Sequence, residues 1–186
     1  MRTLIVTENV TLDGFISPIG DWFAPSGDDE ELLATTTAHG EAADALVLGR
    51  TTYDEFASYW PHQVDDETGI TEYLDQVDKY VVSTTLDRAD WVNTTIVDGP
   101  VVAELGALKE RSGKDIVITG SVTLVHSLLP TGLVDVVRLF VFPVVQGHGR
   151  RLFPDDVALD AELMETKSFE SGVVLLSYRL PRVERD

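Results

Sequence analysis

The run Asp44-Ala-Leu-Val-Leu-Gly49-Arg50-Thr51-Thr52-Tyr53 constrains the fold more than any other stretch, because an apolar strand delivers a glycine and a basic residue straight to a helix start. Residues Ala45 to Leu48 are continuously apolar, as in a strand covered on both faces, and such strands belong to parallel sheets packed between helices. Thr52 and Glu55 have the spacing of a helix capping box. The N–H groups of that first helical turn would face an anion, with the Arg50 guanidinium beside them. A strand-to-helix junction also needs a small residue and a cap when nothing binds there, so this spacing leaves a phosphate site and a plain capped junction both open.

A chain of 186 residues with 44% hydrophobic content suits a single domain, 1–186, with a substantial core. The absence of cysteine removes disulfides, thiolate metal sites and any cysteine nucleophile, and it fits a reducing compartment. Met1 to Val10 is interrupted by Thr7, Glu8 and Asn9, so it reads as neither a signal peptide nor a membrane span; the expectation is a cytoplasmic chain. The net charge of −18, with no basic stripe, argues against nucleic acid and anionic membrane as partners. A small anion would approach only where local donors outweigh that field, which sharpens interest in Arg50.

Strand and helix periods alternate along the chain, the pattern of an α/β domain. Thr3 to Thr11 reads as a first strand, followed by an Asp13-Gly14 turn and a long loop with Pro18, Gly20, Pro25 and Gly27. Asp28 to His39 reads as a helix with acids in its first turn, stopping at Gly40. Lys79 to Thr84 and Thr94 to Val97 read as strands, and a helix starts at Pro100 with Val101, Leu105 and Leu108 inward. Asp115 to Thr119 is a further strand, and Gly120-Ser121 opens a helix to about Leu129, repeating the arrangement around Gly49. Two such junctions at the carboxyl ends of strands suit a ligand with the length of a dinucleotide. Leu133 to Val145 is almost continuously apolar, and Glu162 to Leu180 reads as two strands joined around Ser171-Gly172, an antiparallel hairpin at one edge whose apolar face would favour a homodimer.

These residues carry a family resemblance. Ala43-Asp44-Ala45 through Gly49-Arg50 to Thr52-Tyr53 is similar to the A-D-A-hydrophobic-G-R-x-T-Y segment of the dihydrofolate reductase superfamily, in the branch of the RibD C-terminal reductase domain. Thr11-Leu12-Asp13-Gly14 resembles that branch's S-L-D-G, and Ile118-Thr119-Gly120-Ser121 its second glycine turn. Leu133-Val134-Asp135, then Phe142-Pro143-Val144-Val145-Gln146-Gly147 and Arg151-Leu152-Phe153-Pro154, follow in the family's order, so the resemblance spans nearly the whole chain. It implies a three-layer dihydrofolate-reductase-like fold: a mixed, mostly parallel sheet flanked by helices, with the C-terminal hairpin antiparallel.

The resemblance further implies an NADPH-dependent reductase similar to riboflavin-pathway and dihydrofolate reductases, acting on a pterin-like, aminopyrimidine-like or carbonyl substrate. Gly49, Arg50, Thr51 and Thr52 would hold cofactor phosphates, Ser83, Thr84 and Thr85 would meet the adenosine 2′-phosphate, and Gly120, Ser121, Val122 and Thr123 would line the pyrophosphate and nicotinamide. Thr119 departs from the family by replacing the first glycine of its pair, so either the turn begins at Gly120 or the phosphate sits slightly differently. No arginine lies between Arg50 and Arg88, where dihydrofolate reductases bind the folate carboxylate.

Hydride chemistry asks the protein for alignment, a dry cleft and a proton. Asp13 is the first candidate for substrate contact and proton transfer, against a plain Asp-Gly turn; Glu31, among the acids Asp28 to Glu31 at the first helix, is the second, against solvated first-turn acids. Trp22 and Phe23 could stack on a planar substrate or anchor their loop, and Phe153 is a further substrate contact beside Gly147-His148-Gly149. His39, His62 and His126 are scattered and read as surface or core residues, with no metal site. The competing function is a non-catalytic NADPH-binding or ligand-sensing dimer on the same fold.

Overall fold

The computed structural model describes residues 1–18, 23, 29–66, 68–155 and 157–181. The helices are α1 (Glu30–Glu41), α2 (Arg50–Tyr59), α3 (Ile70–Gln76), α4 (Val101–Glu110) and α5 (Val122–Leu128). The strands are β1 (Leu4–Thr11), β2 (Phe15–Ser17), β3 (Ala43–Gly49), β4 (Asp78–Val82), β5 (Thr94–Val97), β6 (Asp115–Ile118), β7 (Val136–Phe142), β8 (Arg150–Arg151), β9 (Glu162–Ser168) and β10 (Val174–Arg179). Among the described residues, eight strands form one sheet in the order β5-β4-β3-β6-β1-β7-β10-β9, and β2 pairs with β8 in a small antiparallel ribbon. The pairs from β5 to β7 are parallel, while β10 runs antiparallel to both β7 and β9. The hairpin therefore closes one edge, as its sequence predicts.

Two-residue alternation divides the sheet between its layers. Leu4, Val6, Val10, Ala45, Val47, Ile116 and Ile118 pack with Leu105 and Leu108 of α4 and with Val122, Val125 and Leu128 of α5. On the other face, Leu46, Leu48 and Val81 pack against Tyr53 of α2 and Leu74 of α3, while Phe140, Phe142 and Leu175 pack against Leu32 of α1. The result is a three-layer α/β structure.

Polar groups tie the strand starts together. Asp44 accepts from the Lys114 amide at 2.9 Å and pairs with buried Arg2, so the aspartate between two alanines joins β3 to the start of β6. Asp135 accepts from the Leu4 amide at 2.8 Å and pairs with buried Lys109, which also donates to the Leu133 carbonyl at 2.6 Å. That pair fastens α4 to the starts of β1 and β7. Lys79 is fully buried; its ammonium donates to the Leu74 and Val77 carbonyls at the end of α3 and lies 4.7 Å from the Trp91 ring centroid.

Two local expectations are corrected. The first helix passes Gly40 and ends at Glu41, and an added Cβ at Gly40 would meet the Tyr73 ring at 3.4 Å, so this glycine serves close packing, not termination. The capping box at Thr52 and Glu55 does not form: α2 begins one turn earlier on Gly49, and the Thr52 hydroxyl is used elsewhere. Of the long loop after Pro18, Trp22 lies outside the described residues.

Candidate cofactor and substrate cleft

The sheet opens because two pairings of β1 have different lengths. With β6 the register ends at Val6↔Ile118, whereas with β7 it continues to Thr11↔Phe142. Beyond Ile118 the chain turns into α5, leaving the second half of β1 as the bank of a cleft of about 2040 Å³ at the carboxyl ends of the parallel strands. Gly49 to Thr52 and Gly120 to Thr123 line it, as do Glu8, His39, Arg138 and Arg150.

The two strand-glycine-helix turns interlock. The Gly49 amide donates to Ser121 Oγ at 2.8 Å, and the Ser121 amide donates to Thr52 Oγ1 at 2.9 Å. Gly120 and Ser121 both adopt left-handed backbone, with φ of 59° and 52°, which turns successive N–H groups inward. An added Cβ at Gly120 would lie 2.9 Å from Thr52 Cγ2, so the turn admits only glycine there. Asp29 caps α1 by accepting from Leu32 N at 3.0 Å, whereas among the described residues no side chain caps α2 or α5. Their first-turn N–H groups face the cleft end of the sheet, where an anion is stabilised. The residues fit dinucleotide phosphates on these two observations, the glycine-only turn and the uncapped helix starts.

Charge reaches this turn from both sides. Arg50 Nη1 donates to Thr85 Oγ1 at 2.6 Å, bringing two predicted cofactor residues together, and Arg50 also lies 3.5 Å from Asp54. Ser83 is buried and accepts from the amides of Thr85 and Leu86, shaping the turn after β4. Thr84 and Thr85 are exposed, and none of Ser83, Thr84 and Thr85 is among the described residues lining the cleft; Arg50 links them to it. Arg150, which sequence reasoning passed over, donates to Thr123 Oγ1 at 2.9 Å and adds a second guanidinium.

The predicted proton donors lie elsewhere or have other work. The Asp13 carboxylate accepts from the Thr11 hydroxyl at 2.6 Å and from the amides of Gln146 and Gly147 at 3.1 and 2.7 Å. The Thr11 hydroxyl and then those amides hold its pKa down to about 2, so Asp13 stays ionised and clamps the 146–147 loop. Glu31 sits on the outer side of α1 and pairs with Lys167 at 3.0 Å, with its side chain 60% exposed. Neither Asp13, Glu31 nor the exposed Phe153 is among the described lining residues, whereas Phe23 lines the cleft and meets Phe142 edge-on at a 5.8 Å centroid distance.

Glu8 is the acid that the fold brings to the cleft. It is 5% exposed, its Oε1 has no partner among the described residues, and burial pushes its carboxyl well above the ordinary range, against the smaller opposing effect of the Gly120 amide that donates to it. Its only signal in the sequence is a lone acid at an inward position between Val6 and Val10. Arg138 is likewise a lone cation inside the apolar run from Leu133 to Val145.

A family model described as the RibD C-terminal domain matches residues 2–175. A Bacillus subtilis (strain 168) protein named as uncharacterized protein YyaP is 32% identical over 184 residues, covering 95% of this chain and 94% of its own. The solved structure of a Shewanella sp. PV-4 protein assigned to riboflavin biosynthesis superposes with a TM-score of 0.76 at 21% identity, covering 97% of this chain and 100% of that one. Dihydrofolate reductase from Enterococcus faecalis, solved with NADP(H) and an inhibitor named RAB-propyl, superposes with a TM-score of 0.59 at 17% identity, covering 96% of both chains. At those identities the structural likeness is one of fold.

Proposed function

We propose that this chain, which belongs to the RibD C-terminal domain family, is an NADPH-dependent reductase of a small heterocyclic substrate, pterin-like or aminopyrimidine-like, or of a carbonyl compound. The reading rests on one observation above the others: the interlocked Gly49 and Gly120 turns open onto the same cleft as a buried carboxyl. Gly49 to Thr52 and Gly120 to Thr123 would hold the pyrophosphate, and Arg50 with Ser83, Thr84 and Thr85 the 2′-phosphate. When bound, the dinucleotide supplies the hydride. Glu8, whose carboxyl burial pushes well above the ordinary range, is the acid placed to supply the proton that the reduced substrate requires, and it accepts from the Gly120 amide. Asp13 positions the 146–147 loop, and Phe23 and Phe142 wall the cleft. This assignment moves the acid role from Asp13 and Glu31 to Glu8.

Arg50→Ala is expected to weaken NADPH by about tenfold or more, the worth of a charge-assisted contact, while changing NADH little. Fluorescence titration with both nucleotides reads this, and equal losses would remove the 2′-phosphate assignment. NADPH binding with no oxidation across pterins, aminopyrimidine ribosides and activated carbonyls would favour the ligand-sensing alternative. We further propose a cytoplasmic homodimer joined at the edge strand β9, where Leu163 and Met164 are exposed; a monomer mass in sedimentation equilibrium would refute the dimer. Among the described residues no helix is long and apolar enough to cross a membrane.

A further inference from the structure

Past β7 the chain returns to the cleft as β8, which pairs with β2 in the register Phe15↔Arg151 and Ser17↔Arg150. Neighbouring residues of a strand point to opposite faces, so the two arginines of β8 separate. Arg151 lies over the Phe15 ring at 4.6 Å and donates to the Asp13 carbonyl at 3.0 Å; it is not among the described residues lining the cleft. Arg150 lines the cleft beside Gly120 to Thr123 and donates from Nη2 to Thr123 Oγ1 at 2.9 Å.

The ribbon that carries Arg150 is held from several sides. Gly149 has φ of 131°, and an added Cβ there would collide with the Ser17 carbonyl oxygen, so the start of β8 lies directly on β2. His126 Nε2 of α5 lies 3.2 Å from the Arg151 carbonyl oxygen, and the Asp13 carboxylate holds the 146–147 loop before β8. Arg150 is exposed and, among the described residues, makes no ion pair, whereas Arg50 is paired with Asp54. In a chain of net charge −18, a guanidinium left without an acid and tethered to a neutral hydroxyl is a place where local donors outweigh the global field. It shares the cleft wall with the left-handed pair Gly120-Ser121, whose successive N–H groups turn inward. The two guanidiniums thus flank the interlocked turns, Arg50 bonded to Thr85 and Arg150 to Thr123.

We propose that Arg150 is the charge partner of a diphosphate bridge at the Gly120 turn, so that the two arginines divide a dinucleotide between them: Arg50 takes the 2′-phosphate and Arg150 the diphosphate. The planar guanidinium offers several N–H groups to phosphate oxygens, and the bond to Thr123 occupies one nitrogen only. Arg150 therefore adds affinity for NADPH and NADH alike, while the choice between them stays with Arg50. This assignment rests on the reductase reading only for the nicotinamide half of the ligand.

Titration calorimetry of the full chain with NADPH, NADH and ADP-ribose tests this, because ADP-ribose carries the diphosphate without the nicotinamide or the 2′-phosphate. Arg150→Met is expected to weaken all three by about tenfold, the scale of one charge-assisted contact, with the melting temperature unchanged as befits an exposed residue. Arg150→Lys should recover part of the loss, and Arg50→Ala should spare NADH and ADP-ribose. A loss in Arg150→Met confined to NADPH, a loss confined to the two nicotinamide dinucleotides, or no loss with any of the three ligands each overturns the proposal. A wild-type chain that binds ADP-ribose in an Arg150-dependent way but neither dinucleotide removes the reductase reading and leaves the diphosphate site standing; one that binds none of the three removes both.

Discussion

Gly120→Ala tests the interlocked turns most directly. The backbone there has φ of 59°, and an L-residue in left-handed conformation costs about 1–2 kcal/mol. The new methyl would also sit 2.9 Å from Thr52 Cγ2 and 3.1 Å from Thr52 Oγ1. Thr52 is buried on the first turn of α2, so it yields only by giving up its bond from the Ser121 amide, worth about 1 kcal/mol. Together these make about 2–3 kcal/mol, or a melting temperature lower by roughly 4–12 °C for a chain of this size. Urea denaturation gives the free energy and NADPH titration the function. Thr52→Ser keeps the hydroxyl and deletes the clashing methyl, so the double variant should recover the steric part and leave the backbone part. A Gly120→Ala loss below about 1 kcal/mol, or no coupling to Thr52→Ser, would refute the packing argument; unchanged NADPH affinity would refute the cradle.

Glu8 carries a pH prediction whose sign follows from burial. Its folded pKa is raised, so the stability it contributes is whole below the unfolded value of about 4.3 and is lost as pH rises through the folded pKa. Glu8→Gln should flatten that decline, become the more stable protein at alkaline pH and lose the alkaline limb of turnover; parallel stability profiles would show that Glu8 does not titrate in the fold. Asp13, lowered to about 2, has the opposite sense: its clamp holds above the ordinary carboxylate pKa and loosens as pH falls from about 4 toward about 2. Asp13→Asn should speed hydrogen exchange at the amides of Gln146 and Gly147, and unchanged exchange with abolished turnover would return Asp13 to catalysis. Asp135→Ala should cost about 3–5 kcal/mol by stranding buried Lys109, and adding Lys109→Met should recover much of it in denaturant titrations; a loss near zero would mean the pair does not secure β1 and β7.

The elements legible in the sequence are those set by local physics. Continuous apolar runs predict buried strands, a glycine before a helix start predicts each turn, and the Ser171-Gly172 connection predicts the edge hairpin. Boundaries are less legible where a glycine has two explanations: Gly40 resembles a helix stop, yet Tyr73, distant in sequence, uses its missing side chain. Asp13 was legible as a turn residue, but not as the acceptor for amides more than 130 residues away.

The order of motifs along the chain, by itself, determined the family, the three-layer fold and the two strand-glycine-helix turns, because each turn depends on neighbours within one strand-turn-helix unit. Only the tertiary structure decided that β3 and β6 lie side by side, so that Gly49, Thr52 and Ser121 bond across the two units. It also decided which polar residues face the cleft. Glu8, Arg138 and Arg150 stand at unremarkable positions in the sequence; desolvation distinguishes Glu8 and Arg138, and convergence on one cleft distinguishes all three. Both arise where β1 outlasts its pairing with β6, a difference in register that no single segment of the chain contains.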